Sequence, residues 1–213
     1  MLARTALINQ LRAVLLERGI IMPKGRILLM RRLNAIGLAG LAISSRIQAL
    51  VQDLLAECAD FDRRIKAYDD EFAAVARYDA QARRLSGIPG VGVINATALL
   101  AAVGDASAFA RGRDLASWLG LTPRQHSTGG KTKMLGISKR GNRYLRKQLI
   151  HGARAAMPHI AAKPTRMGAW LRDMLTRSHP NVVVVALAAK LARIVWAVLR
   201  RESNFDQGAA MEA

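Results

Sequence analysis

A long seam of apolar side chains between residues 42 and 76 is the most regular pattern in the chain. Its members recur at alternating spacings of four and three: Ile47, Val51, Leu54, Cys58, Phe61, Ile65, Tyr68, Phe72 and Val75. This heptad repeat predicts a long helix whose seam packs on another helix. The partner is either a second copy of the chain, which the length and regularity of the seam favour, or a helix predicted at residues 5–18 of the same chain.

The segment that follows predicts a helix-hairpin-helix. A short polar helix and an Ala/Leu-rich helix flank the turn Ile88, Pro89, Gly90, Val91 and Gly92. Proline and glycine permit a tight turn, and the glycines let the backbone approach a phosphate near the N–H groups that begin the second helix. Such a hairpin would grip a nucleic-acid backbone without reading bases. The alternative is a simple turn between two helices.

The rest of the chain also lacks clear strand signals. We predict a helix at 115–120 capped by Asp114, followed by a glycine-rich loop at 122–136. A helix at 137–154 comes next, with Ile137 and Tyr144 facing inward and Pro158 after its end. The last two predicted elements are a helix at 169–177 and an apolar helix capped by Asn181. The predicted fold class is therefore all-α, a long heptad helix followed by a helix-hairpin-helix domain. The predicted divisions are a helical and coiled-coil region at 1–84, a second domain at 85–201 and a disordered tail at 202–213.

The apolar helix at 182–199 is close to the length that spans a bilayer. However, Lys190 and Arg193 lie in its middle, and each would cost about 3 kcal/mol in hydrocarbon. We therefore predict a buried helix and no membrane partner.

Charge separates the two halves of the chain. The 213 residues carry a formal net charge of +18, which points to a polyanionic partner. Residues 115–172 contain twelve Lys and Arg residues and no acid. From this region and the turn before it, we predict a DNA-binding set: Ile88, Pro89, Gly90, Val91, Gly92, Arg124, Lys131, Lys133, Lys139, Arg140, Asn142, Arg143 and Arg146. Aromatic residues are only 5% of the chain, which argues against a platform for stacking single strands.

Candidate chemistry is sparse. The four histidines lack helical pairing, the basic half has no paired carboxylates, and the single cysteine, Cys58, excludes an intramolecular disulfide. We therefore predict no metal site and no cofactor bound by this chain. Ser127 lies in the glycine-rich loop near Arg124, Lys131 and Lys133, and is either a nucleophile for a phosphodiester or an ordinary loop residue.

Several motifs together resemble a known family. These are Gly-Ile-Pro-Gly-Val-Gly at 87–92, Leu-Gly-Leu-Thr-Pro-Arg-Gln-His-Ser-Thr-Gly-Gly-Lys at 119–131, and Gly-Ile-Ser-Lys-Arg-Gly-Asn-Arg-Tyr-Leu-Arg at 136–146. They resemble the C-terminal transposase domain of the insertion-sequence family called "IS one-ten". The resemblance implies a DNA recombinase guided by a bridging RNA, cytoplasmic and nucleoid-associated in a prokaryote. It implies Ser127 as the nucleophile. Self-association through the heptad helix, as a dimer or tetramer, is expected from the apolar seam itself.

The resemblance also implies a part that this sequence does not match. Family members carry an N-terminal RNase-H-like domain with an Asp-Glu-Asp-Asp metal site, and we expect Mg²⁺ only where that domain is present. The sequence is therefore expected to be a truncated copy or one half of a two-chain protein. The alternative is a non-enzymatic helix-hairpin-helix protein that binds nucleic acid.

Overall fold

The computed structural model describes residues 2–206, and the predicted tail lies outside the described residues from residue 207 onward. The chain divides into two compact units, residues up to Asp70 and residues from Glu71 on. The first unit contains α1 (Leu2–Leu16), α2 (Arg26–Ile36) and most of α3 (Ser45–Tyr78). The long heptad helix predicted at 42–76 is therefore present as α3.

The first half of the α3 seam packs within its own chain. Val51, Leu54 and Cys58 are buried in one cluster with side chains of α1 and α2 such as Leu11 and Leu29. Burial of these apolar groups is what stabilises the unit. The intrachain alternative, with α1 as partner, therefore describes this half of the helix.

A bridging carboxylate strengthens the same junction. Asp62 of α3 accepts hydrogen bonds from Arg4 of α1, at 2.7 Å, and from Arg26 of α2. Partial burial alone would raise the pKa of Asp62, but the hydrogen bonds and charges of Arg4 and Arg26 outweigh it and lower that pKa. The three helices are thus held together by charge as well as by apolar packing.

The second half of the α3 seam is more exposed. Tyr68 is 56% exposed and Val75 is 43% exposed, while Phe61, Ile65 and Phe72 are partly buried. The heptad pattern continues without interruption into this half. An intermolecular coiled coil through these residues therefore stays a prediction.

The second unit is built from helices and one small sheet. Its elements are α4 (Ala80–Ser86), α5 (Val93–Val103), a 3₁₀ turn (Ala106–Ala108), α6 (Gly112–Trp118), β1 (Pro123–Thr128), β2 (Lys131–Ile137), α7 (Arg143–Ala161), α8 (Arg166–Arg177) and α9 (Pro180–Arg201). The core surrounds α9, which contributes eleven buried residues. Helix α9 is long and apolar enough to cross a membrane, but 61% of its most apolar window is buried inside the protein. The prediction of a buried helix is therefore confirmed.

The segment predicted as a glycine-rich loop forms a β-hairpin instead. The predicted all-α fold class is therefore wrong at this segment. Strands β1 and β2 pair antiparallel, with Thr128 opposite Lys131. The turn residues Gly129 and Gly130 have φ values of 56° and 76°, which suits the two-residue turn of a hairpin. Every residue of β1 is exposed, so the hairpin lacks the alternation of apolar and polar residues that identifies a half-buried strand. The rest of the described chain is mostly helical, as predicted.

Several predicted helix ends are also corrected. Asp114 does not begin α6; its carboxylate accepts from the backbone N–H of Arg111, one turn earlier. The cap of α9 is His179, whose Nδ1 accepts from the N–H of Asn181 at 3.2 Å.

Helix α7 differs from its prediction at both ends. Ile137 belongs to β2, and Tyr144 is 52% exposed instead of facing inward. The helix continues through Pro158 to Ala161, because Ala156 and Ile160 keep its last turns packed on the core. A proline removes one helical hydrogen bond, and here this packing outweighs that loss.

Close contact between α7 and the turn at 87–92 leads to a first prediction. A Cβ on Gly152 would lie 1.9 Å from the backbone oxygen of Gly90. We expect Gly152→Ala to lower the free energy of unfolding by about 1–3 kcal/mol, since the backbone must move apart. Chemical denaturation measures this. Gly136→Ala is the control, since no atom lies within 4 Å of its added Cβ; equal stability of the two variants would contradict the contact.

Candidate nucleic-acid interface

The turn at 87–92 joins α4 to α5 and is fixed from within the unit. Ile88 and Val91 are each 1% exposed, so their side chains belong to the core and only their backbone is available to a ligand. Gly90 has a φ of +88°, and its oxygen accepts from Nδ2 of Asn95 at 3.2 Å. The same Nδ2 donates to the oxygen of Gln148 in α7 at 3.3 Å. Buried Asn95, which the sequence did not single out, thus ties the turn to α7.

The close contact between this turn and α7 explains why a glycine stands at position 90. Gly90 is required by its contact with Gly152, whereas Gly92 has open space around it and an ordinary φ of −80°. Pro89 and Gly90 border a shallow cavity of about 380 Å³ together with His159 and Lys163. A phosphate beside this turn would therefore meet the Lys163 ammonium, which the predicted set did not include.

A second and more strongly basic cavity lies at the start of α7. It has a volume of about 330 Å³, and its lining includes Lys139, Arg143, Lys147 and His151. Three of these residues follow one another at a spacing of four along α7, so they lie along one side of the helix. We call Lys139, Arg143, Lys147 and His151 the basic ridge. The lining thus brings three predicted DNA-binding residues, Lys139, Arg143 and Arg146, together with Lys147 and His151, which the prediction omitted.

Asn142 has a local structural role at this position. Its side chain accepts from the N–H groups of Tyr144 at 3.0 Å and Leu145 at 3.1 Å, so it is the N-cap of α7. This satisfies two of the N–H groups that a helix leaves open at its beginning. Asn142 thus fixes where α7 begins, and with it the position of Arg143.

Arg146 differs from the other predicted DNA-binding cations. It is only 8% exposed, and its Nη1 donates to the backbone oxygens of Leu119 at 3.0 Å and Arg140 at 3.1 Å. The guanidinium therefore holds the segment after α6 against the segment before α7. Arg146 therefore has a structural role, although it also borders the basic cavity.

The same junction restricts the backbone near Arg140. A Cβ on Gly120 would lie 1.9 Å from the Arg140 oxygen, and a Cβ on Gly141 would lie 1.8 Å from the Trp118 oxygen. Both glycines also have positive φ values. The Arg140 side chain itself is exposed. The base of the hairpin is therefore rigidly attached while its cations remain accessible.

Ser127 lies on β1, one residue before the last residue of the strand. It is exposed, and its Oγ accepts a hydrogen bond from Nε2 of Gln125 at 3.2 Å. Residues that pair across antiparallel strands share a face, and successive residues alternate between faces. Lys131 pairs with Thr128, and Lys133 pairs with His126. Both lysines therefore lie on the face opposite Ser127, so the expectation that they surround the serine is corrected.

Arg124 lies within the register shift between Pro123 and Gln125, where strict alternation does not apply.

Among residues 2–206, no group of three or more His, Cys, Asp or Glu side chains lies together as a metal site would require. Eight exposed cations lie in the hairpin and the segment after it, on the basic ridge and beside the turn at 87–92: Arg124, Lys131, Lys133, Lys139, Arg140, Arg143, Lys147 and Lys163.

Comparison with known proteins places this unit in context. Residues 82–167 match the family described as "Transposase IS116/IS110/IS902 family". The chain is 40% identical over 208 residues to the "Transposase for insertion sequence element IS1111A" of Coxiella burnetii, covering 97% of this chain and 57% of that protein. It is 37% identical over 207 residues to the "Transposase for insertion sequence element IS1328" of Yersinia enterocolitica, covering 93% of this chain and 59% of that protein.

The chain is also similar, at lower identity, to a protein that is not named as a transposase. The "Pilin gene-inverting protein" of Moraxella bovis is 31% identical over 134 residues, covering 60% of this chain and 39% of that protein. The chain thus spans somewhat more than half the length of the insertion-sequence transposases it matches.

Proposed function

Because this chain belongs to the IS116/IS110/IS902 family of transposases, we propose that it binds DNA and takes part in DNA strand exchange with Ser127 as the nucleophile. The observation that carries the proposal is the basic ridge next to the hairpin that bears Ser127. Such a protein would act in the cytoplasm at the nucleoid. The resemblance further implies a guide RNA, whose phosphates the same cations would also bind.

Contacts to the phosphate backbone of the DNA would supply most of the affinity. The eight exposed cations of the hairpin, the basic ridge and the turn at 87–92 lie in the run without acids between residues 115 and 172, so a polyanion is needed to neutralise them. Lys139, Arg143 and Lys147 border one cavity and would hold successive phosphates. The backbone of the turn at 87–92, with Lys163 beside it, would grip another part of the same strand. Contacts of this kind position DNA without reading its sequence.

The proposed chemical step is an attack on a backbone phosphate. The Ser127 Oγ forms a bond to phosphorus, the bond from phosphorus to one bridging oxygen of the strand breaks, and that oxygen takes up a proton as it leaves. The Ser127 proton passes to a base. Gln125 would orient the Oγ through its hydrogen bond. The product is a serine ester of the DNA end, which a second strand can then attack.

The family resemblance implies a Mg²⁺ site, but the described side chains of this chain do not provide the ligands for one. The side chains in residues 2–206 bring no three carboxylate, histidine or cysteine groups together, whereas Mg²⁺ binds through carboxylate oxygens. We derive no step through a metal. In the proposal, the Asp-Glu-Asp-Asp carboxylates come from another domain.

One observation favours the non-enzymatic alternative. Lys131 and Lys133 lie on the hairpin face opposite Ser127, so they are not placed to meet negative charge that develops at that serine. A protein that only binds nucleic acid needs the cations but not the serine. Only the enzymatic function requires a covalent adduct at Ser127, so detection of that adduct separates the two functions.

The exposed half of the α3 seam gives a prediction about partners. We propose that it pairs two copies of the chain, because Tyr68 and Val75 would otherwise leave a long apolar stripe in water. Replacing both with glutamate should convert dimers or larger particles into monomers. Light scattering at micromolar concentration measures the mass.

The matched control places the same charges on the outer face of the same helix. Ala67→Glu with Ala74→Glu adds two carboxylates at exposed positions off the seam, and the particle mass should stay unchanged. Leu54 is unsuitable for this test because it is 6% exposed in the core of the first unit. A wild-type chain that is already monomeric would show that the exposed half of the seam does not pair two copies.

A further inference from the structure

An apolar groove lies beside the base of the hairpin in the second unit. It has a volume of about 550 Å³ and lies between β2, α8 and α9. Its lining includes Leu135, Ile137, Trp170, Val182 and Val185. Leu135 is 40% exposed and Val182 is 56% exposed. A surface with this much exposed apolar area, in a strongly cationic unit, indicates a binding site.

The groove and the basic ridge are neighbours. Ile137 and Lys139 line both the groove and the basic cavity. Lys139 has a left-handed backbone with a φ of +57°, and its N–H donates to the oxygen of Gly120 at 3.1 Å. Non-glycine residues adopt this conformation uncommonly, and the hydrogen bond to Gly120 helps to hold Lys139 in it. The Lys139 backbone is therefore fixed at the boundary between an apolar and a cationic site.

Positive charge also lies along the α9 side of the groove. Arg193 lines it, and Lys190 is buried with its ammonium 5.3 Å from the centre of the Trp170 ring. Burial, and then the nearby charge of Arg193, lower the pKa of Lys190. The lining contains Lys139 and Arg193 but no acid. A ligand that combines an apolar ring with negative charge suits this combination of walls and cations.

We propose that the groove receives one unpaired nucleobase of the bound DNA, next to the Trp170 ring, while Lys139 and Arg143 hold its flanking phosphate. Every base has a face that stacks on an aromatic ring, so this contact would be tolerant of sequence. The Asn181 amide in the lining can donate to or accept from a base edge. This inference rests on the proposed function, since it requires DNA on the basic ridge.

Three duplexes test the inference. They share one sequence and differ at one position, which carries an unpaired thymine, an unpaired abasic site or no extra nucleotide. The abasic duplex has the same backbone and a similar bend, so the ratio of its Kd to that of the thymine duplex isolates the base. We expect the thymine duplex to bind about tenfold more tightly than the abasic one, in line with the stacking of one base.

Variants locate the preference in the groove. Trp170→Leu removes the ring, and Ala186→Leu fills the groove from α9 with a residue that favours helix; both should bring the ratio close to one. The control is Tyr144→Leu, which removes an exposed ring on α7 outside the groove and should keep the ratio. Ala186→Leu keeps the test decisive if Trp170→Leu does not fold.

The outcomes separate the two proposals. If all three duplexes bind with equal, salt-dependent affinity, the nucleobase site is wrong and DNA binding stands. If no duplex binds at low salt, the proposed function is wrong and this inference falls with it. If Ala186→Leu changes the particle mass and leaves the thymine preference intact, the groove is an interface between copies of the chain instead.

Discussion

Affinity of the chain for duplex DNA is expected to fall by about 10³- to 10⁵-fold between about 50 and 200 mM salt. The reason is that bound cations release counterions from DNA, so the slope of log K against log salt is about −0.9 for each phosphate neutralised. The second unit has eight exposed cations in its hairpin, basic ridge and turn region. If all eight contact phosphates, the slope is about −7. Fluorescence anisotropy with labelled duplexes of unrelated sequence measures both the slope and the expected lack of sequence preference.

Substitutions on α7 show which cations produce the slope. Arg143→Gln with Lys147→Gln should change it from about −7 to about −5, because two phosphate contacts are lost. Arg146→Met is the matched control, since it removes a positive charge that is buried. It should leave the slope unchanged and lower the free energy of unfolding by about 1–3 kcal/mol, because the oxygens of Leu119 and Arg140 lose their donor. A flat salt response in the wild type would contradict the proposed interface.

Ser127→Ala is expected to abolish a covalent protein–DNA adduct and to leave DNA affinity within a few-fold of wild type. Only the Oγ can form the ester, whereas the hydroxyl neutralises no phosphate charge. We expect the chain alone to bind DNA and cut it poorly. The adduct should form when an Asp-Glu-Asp-Asp domain is supplied on the same chain or a partner chain. Denaturing gels with end-labelled DNA detect it.

Neighbouring hydroxyls are the controls for this variant. Thr128→Ala alters the adjacent β1 residue, whose side chain alternates to the other face of the hairpin. Ser138→Ala alters a residue just after β2 whose N–H donates to the oxygen of Thr122. Both variants should retain the adduct. An adduct that persists in Ser127→Ala, or that maps to Thr128 or Ser138, would show that the nucleophile is a different residue.

The sequence by itself determined the helical elements and the charge. The four-three seam required α3, because only a helix puts those positions on one side. The acid-free run at 115–172 required an anionic partner whatever its fold, since net charge does not depend on which residues are neighbours. The motifs at 87–92 and 119–146 carried the family resemblance, which the comparisons confirmed.

Other features depended on contacts between distant parts of the chain. The seam of α3 gives no sign of where α1 and α2 cover it, so its division into a buried and an exposed half is a result of packing. The hairpin at 123–137 is formed by exposed, mainly polar strands, for which periodicity carries no signal. In the sequence alone, Arg143 and Arg146 are two basic residues of one predicted helix, and nothing distinguishes their roles.

Only the tertiary structure separates those two arginines. Three residues along a helix turn a side chain through about 300°, but what each arginine meets depends on the segments that pack there. Both border the basic cavity, but Arg146 is buried and donates to the carbonyl oxygens of Leu119 and Arg140, whereas Arg143 is exposed. The groove beside Trp170 likewise requires β2 and α9, which are far apart in the sequence, to lie together. Composition determines the amount of charge, and packing determines which charges remain available to a ligand.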